Sequence, residues 1–154
     1  MASINMGSDT INPIGMSHQA LSAEGVTGQL LTDAAMASVM ADFSPSVKEA
    51  QSITSAHRHA MKMPSESDID AYRRYENYVN SMINRCDAIG LGRAMHAVQD
   101  SAAGGHGFAV YNGSVSVGHL VKDKVPSANR TKEAIVKSQN VISRFREICQ
   151  CRKY

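Results

Sequence analysis

No apolar run in the chain approaches the roughly 20 residues that a membrane-spanning helix needs. The opening "MASINMGSDTINPIG" has neither the basic start nor the apolar core of a secretory signal peptide. The sequence therefore reads as a soluble chain that does not export itself. No long Lys or Arg run marks a stripe for nucleic acid or anionic lipid, and a net charge of +2 decides neither way. The three cysteines, Cys86, Cys149 and Cys151, form an odd set that implies no disulfide framework, and the tail "CQC" is expected as free or redox-inert thiols, with metal binding the alternative. Aromatic residues make up only 5% of the chain, which leaves few rings for stacking on bases.

What is present is enough for one folded domain. A length of 154 residues buries a substantial core but does not divide into two domains, so residues 1–154 are expected as a single unit with 1–14 as a flexible arm. Ser17 stands where a helix cap would. Val26, Leu30, Ala34, Ala37 and Met40 share one face of a helix over Val26–Phe43. Ser44 and Pro45 suit the cap and first position of a second helix, and Ser65 with Asp68 forms a capping-box-like pair before a third. That third helix carries Ile69, Tyr72, Tyr75, Val79, Met82 and Ile83 at helical spacing and ends at Gly90. Leu91–Ala102 is a fourth helix, a long loop runs from Gly104 to Gly118, and residues 127–149 form a last helix with Ile135, Ile142 and Phe145 inward. The alternation of strands and turns that marks a β fold is missing. The fold class expected is all-α, a multi-helix bundle with one long active-site loop.

The chemistry concentrates in "GRAMHAVQDSAAGGHGFAVYNG". Residues four apart on a helix have Cβ atoms about 5–6 Å apart, so His96 and Asp100 can converge on one ion. "VGHLVKD" repeats that spacing at His119 and Asp123, and His106 lies in the loop between. Taken singly, each has a plain structural reading: His96 as a semi-buried core histidine bonded to Asp100, His106 as a loop residue, His57 and His59 as surface residues near a helix end. Together, His96, Asp100, His106, His119 and Asp123 fall within 28 residues, and the pattern points to metal.

"LGRAMHAVQDSAAGGHGF" resembles the metal-binding core of the zinc-dependent phospholipase C and single-strand-specific nuclease superfamily. In that family a helix carries His, then Asp four residues on, then a second His six further along. The register here is His96, Asp100, His106, and the family's following His and acid are matched by His119 and Asp123. "GMSHQAL" is similar to the family's N-terminal segment through His18, and "AHRHAM" offers His59 or His57. The resemblance implies that His59, His96 and Asp100 hold one zinc and that His106, His119 and Asp123 hold another. Asp100 would bridge to a third ion bound by His18, giving two or three zinc ions in all. Asp42 in "MADFSP" resembles in position an aspartate that orients or activates water.

The activity so implied is a zinc-dependent phosphodiesterase. With no Lys or Arg from Asp100 to Val121 and a loop of small and apolar residues, the sequence points to phospholipid at a membrane surface, cleaved in phospholipase C fashion. A single-strand-specific nuclease of the same fold is the alternative. A reading of another class is a non-catalytic, metal-stabilised helical interaction module, which needs closed four-ligand sites. The lack of a signal peptide, with the likeness of "HAM" and "AMHAVQDS" to toxin domains, implies an antibacterial effector. It would be secreted or delivered into a target cell as part of a larger protein, with an immunity protein as partner.

Overall fold

A computed structural model of the chain describes residues 13–104, 106–113 and 127–150. Six α-helices occur among them: α1 (Pro13–Ala23), α2 (Gly28–Met40), α3 (Val47–Ala50), α4 (Asp68–Ile83), α5 (Ala88–Ala102) and α6 (Ala128–Gln150). Short 3-10 helices at Ala41–Phe43 and Ile53–His59 flank α3. No strand forms among the described residues; a single parallel bridge joins Lys62 to Val110. The all-α bundle is as expected.

α5 is the central element. Leu91, Ala94, Met95, His96, Ala97 and Val98 are all buried, so the helix is covered all round by α2, α4 and α6. Small residues let its neighbours come close. A Cβ added to Gly92 would lie 2.3 Å from the Ala34 carbonyl oxygen and 2.7 Å from the Ala37 Cβ, so α2 and α5 touch backbone to side chain there. Gly92→Ala is therefore expected to destabilise the fold by about 3 kcal/mol, the upper range for overpacking. Denaturant unfolding checks this, and an unchanged midpoint would contradict the contact.

That close approach also sets which face of α2 is inward. Ala34, Ala35 and Ser38 are buried, whereas Leu30 and Met40, expected in the core, are 38% and 46% exposed. Ser17 is not a cap. It lies buried inside α1 and donates to Ser38 Oγ (3.0 Å), while Gln99 Nε2 donates to Ser17 Oγ (3.0 Å) and Ser138 Oγ (3.1 Å). This satisfied polar line joins α1, α2, α5 and α6 and fixes the rotation of α5.

Capping shifts by two residues from the sequence reading. Ser46, not Ser44, accepts from the Glu49 amide (3.2 Å), and Ser67 with Asp70 caps α4. α4 buries Ala71, Tyr75, Val79 and Ile83 at four-residue intervals, leaving Ile69 and Tyr72 exposed. Gly90 does not stop a helix. It sits in the first turn of α5, where Asp87 accepts from its amide (2.6 Å), because a side chain there would strike the Met82 carbonyl.

The expected free thiols are also corrected. Cys86 and Cys149 form a disulfide with Cα atoms 5.4 Å apart. The pair is 63 residues apart in sequence, and α6 packing back along α4 and α5 brings it together. Cys151 and the arm through residue 12 lie outside the described residues.

Candidate metal centre

Three segments bring four donor residues into one cluster. Asp42 comes from the turn after α2, His59 from the end of the second 3-10 helix, and His96 with Asp100 from adjacent turns of α5. His59 Nδ1 stands 3.0 Å from Asp100 Oδ2, 3.1 Å from His96 Nε2 and 3.5 Å from Asp42 Oδ1. His96 Nε2 stands 3.1 Å from Asp100 Oδ2 and 3.5 Å from Asp42 Oδ1. On the far side of Asp100, His106 Nε2 is 3.7 Å from Oδ2.

The spacing of His59, His96 and Asp100 fits three ligands of a small tetrahedral cation, with Asp42 beside the remaining position. Ligand atoms about 2.0–2.1 Å from zinc stand roughly 3.3 Å from one another, within the 3.0–3.5 Å found here. The tautomer of His59 supports the same conclusion. Its Nε2 lies 3.2 Å from the Ala50 carbonyl oxygen, which accepts only if that nitrogen carries hydrogen. In neutral His59 the bare Nδ1 lone pair then faces two carboxylates and a second imidazole. In metal-free protein a proton on His96 Nε2 answers this convergence, and a cation would take its place.

Ionisation follows the same geometry. Burial alone would push His96 down, but the charge and hydrogen bond of Asp100, with those of Asp42, raise it to about 10. Burial would push Asp100 and Asp42 up, yet His96 outweighs it in both, joined by His106 and His59 at Asp100, and holds both below the ordinary carboxylate value. The contribution of His96 to stability is complete below its ordinary 6.5 and is lost as pH rises through about 10. That of the two aspartates is present above 3.8 and lost as pH falls. For this cluster, metal-free protein is expected to melt highest between about pH 4 and 6.5. A metal displaces the His96 proton, so affinity should rise with pH and binding should release protons. Calorimetry in buffers of different protonation enthalpy reads this release; none at pH 7 would contradict it.

Supporting residues that the sequence did not single out hold the donors in place. Tyr111 is buried, and its hydroxyl donates to the Gln51 carbonyl (2.8 Å). Gln51 Nε2 donates in turn to Asp42 Oδ1 (3.3 Å). Non-glycine residues in the left-handed region follow both loop histidines, Ala60 at φ 49° and Phe108 at φ 63°, and the Phe108 amide donates to the Ala60 carbonyl. The two loops are thereby pinned to each other beside the cluster. Nothing in composition or periodicity signals these contacts.

Of the two histidines of "AHRHAM", His59 joins the cluster. His57 points elsewhere, its ring edge-on to Tyr78 at 5.3 Å, with its pKa lowered to about 4 by burial and by Arg74 and Arg58. His18 is exposed on α1 near Ser22 Oγ (3.4 Å) and belongs to neither group of converging donors among the described residues. His119 and Asp123 lie outside the described residues. Comparison with protein-family models, curated proteins and solved structures finds no match for this chain.

Proposed function

We propose that this chain is a zinc-dependent phosphodiesterase acting on single-stranded nucleic acid. The observation that carries the metal reading is the convergence of His59, His96 and Asp100 within 3.1 Å of one another, with Asp42 3.5 Å from both histidines. When bound, zinc supplies Lewis acidity toward a phosphoryl oxygen and acidifies water. His59 and His96 are the buried donors, and Asp100 keeps 16% of its side chain exposed. Asp42, with 43% of its side chain exposed, stands at the mouth, where water and substrate arrive. Its lowered pKa keeps it ionised, so it orients the attacking water more effectively than it retains a proton. Three protein donors with the half-exposed Asp42 carboxylate beside the fourth position suit an open, reactive site better than the closed four-ligand set of a purely structural module.

The substrate choice turns on α6. Counting charges within the loop favoured lipid, but α6 carries Lys137 and Arg144 to a cavity beside α5, where Tyr72, Tyr75 and Phe108 also gather. Cations and rings together suit a polynucleotide, which needs both phosphate contacts and stacking. Phospholipid is the second reading, supported by exposed Met40, Phe43 and Ile53 in the segments on either side of Asp42. Hydrolysis of single-stranded DNA and RNA, set against release of head groups from phosphatidylcholine vesicles, tests the choice. Cleavage of strands that is lost in chelator and restored by zinc is expected. Lipid hydrolysis with intact strands would reverse the substrate and keep the metal. We also propose delivery as an effector within a larger secreted protein, opposed by an immunity protein; the Cys86–Cys149 bond supports passage through an oxidising compartment.

A further inference from the structure

The cavity between α4, α5 and α6 measures about 210 Å³. That is below the roughly 300–1,000 Å³ of sites for drug-sized ligands, and it has room for one planar ring and the group attached to it. Its aromatic wall is continuous: ring centroids are 5.6 Å apart for Tyr72 and Phe108 and 5.3 Å for Tyr75 and Phe108. Tyr72 is 54% exposed and offers a ring to a ligand. Lys137 and Arg144 are two turns apart on one face of α6 and line the opposite wall. Lys137 Nζ donates to Ser101 Oγ (2.9 Å) and pairs with Glu133 (2.8 Å), while Arg144 bonds Asn80. Ser101 follows Asp100 directly, so the cavity adjoins the metal centre. Glu76 adds a carboxylate on the aromatic side, hydrogen-bonded with Tyr72.

A plain phosphate site has no use for Glu76, and an ammonium site has no use for two cations. A nucleotide with an amine on its ring uses all of them. We propose that this cavity is a base subsite selecting nucleotides whose base carries an exocyclic amine. The ring stacks on Tyr72 and Phe108, the amine donates to Glu76, and Lys137 with Arg144 takes the phosphate. The proposal rests on the polynucleotide reading and adds to it a preference among bases. Cytosine and uracil form the cleanest comparison, because they share a ring and differ where an amine replaces a carbonyl.

Binding of CMP, UMP and inorganic phosphate to the full chain in chelator, followed by NMR, tests it without any turnover. CMP is expected to bind about tenfold tighter than UMP, the discrimination expected of one carboxylate reading a cytosine amine. Glu76→Gln should level the two, and Tyr72→Ala should weaken both by about tenfold, as for loss of one stacking partner. His96→Ala should leave CMP binding unchanged. Equal affinity for CMP and UMP, or phosphate binding as tightly as CMP, would overturn the subsite. So would loss of CMP binding in His96→Ala if that variant melts as the parent does, since the nucleotide would then sit at the metal centre. Strand cleavage without base preference would overturn the subsite alone, whereas CMP selectivity in a protein that cleaves no strand would overturn the proposed function alone.

Discussion

Asp100→Asn is expected to lower phosphodiester hydrolysis by about a thousandfold, the largest effect of any single substitution. Its Oδ2 lies within 3.7 Å of ring nitrogens of His59, His96 and His106, so neutralising it affects all three at once. Charge stabilisation by a bound metal is worth several kcal/mol, and each 1.36 kcal/mol is tenfold in rate, so losing about 4 kcal/mol gives that factor. Asp42→Asn should cost clearly less, because Asp42 lies 3.5 Å from His59 and His96 and is half-exposed. Steady-state rates at matched zinc, with metal content measured on the same samples, check the order. An Asp100→Asn protein with near-normal rate and zinc content would refute its role.

Reducing the Cys86–Cys149 bond is expected to cost about 4 kcal/mol of stability, from the chain entropy released in a loop of this length. The bond ties the turn before α5 to the end of α6, and α5 carries two of the four donors. Zinc affinity should therefore fall with stability. Chemical denaturation of the Cys86→Ser variant, and of the parent with and without reductant, provides the measurement. Identical midpoints in all three would mean that the link contributes nothing.

The legible part of the site was the local part. His96 and Asp100 lie one turn apart on one helix, so backbone periodicity alone brings them together, and the structure places them 3.1 Å apart. His59 and Asp42 join only through packing of the two 3-10 segments on α5, which no spacing encodes; the family resemblance pointed to them. Where large apolar residues guided the reading, it misplaced the α2 face, because Gly92 admits Ala34 and Ser38 so closely that Leu30 and Met40 are left outside. Hydrophobic periodicity weighs bulk and does not register the closeness that small residues permit. The same limit applies to charge. A gap in Lys and Arg along the loop says nothing about Lys137 and Arg144, which come from a helix beyond it.

The central claim is that His59, His96 and Asp100 hold zinc, with Asp42 beside it. Elemental analysis of the purified protein, beside His96→Ala and with folding of both checked by circular dichroism, tests it most directly. The account predicts at least one zinc per chain in the parent, and two if His106 completes a second site with His119 and Asp123. It predicts loss of zinc from the cluster in His96→Ala while the helical spectrum persists. A folded parent that hydrolyses its substrate at full rate with no metal would contradict it.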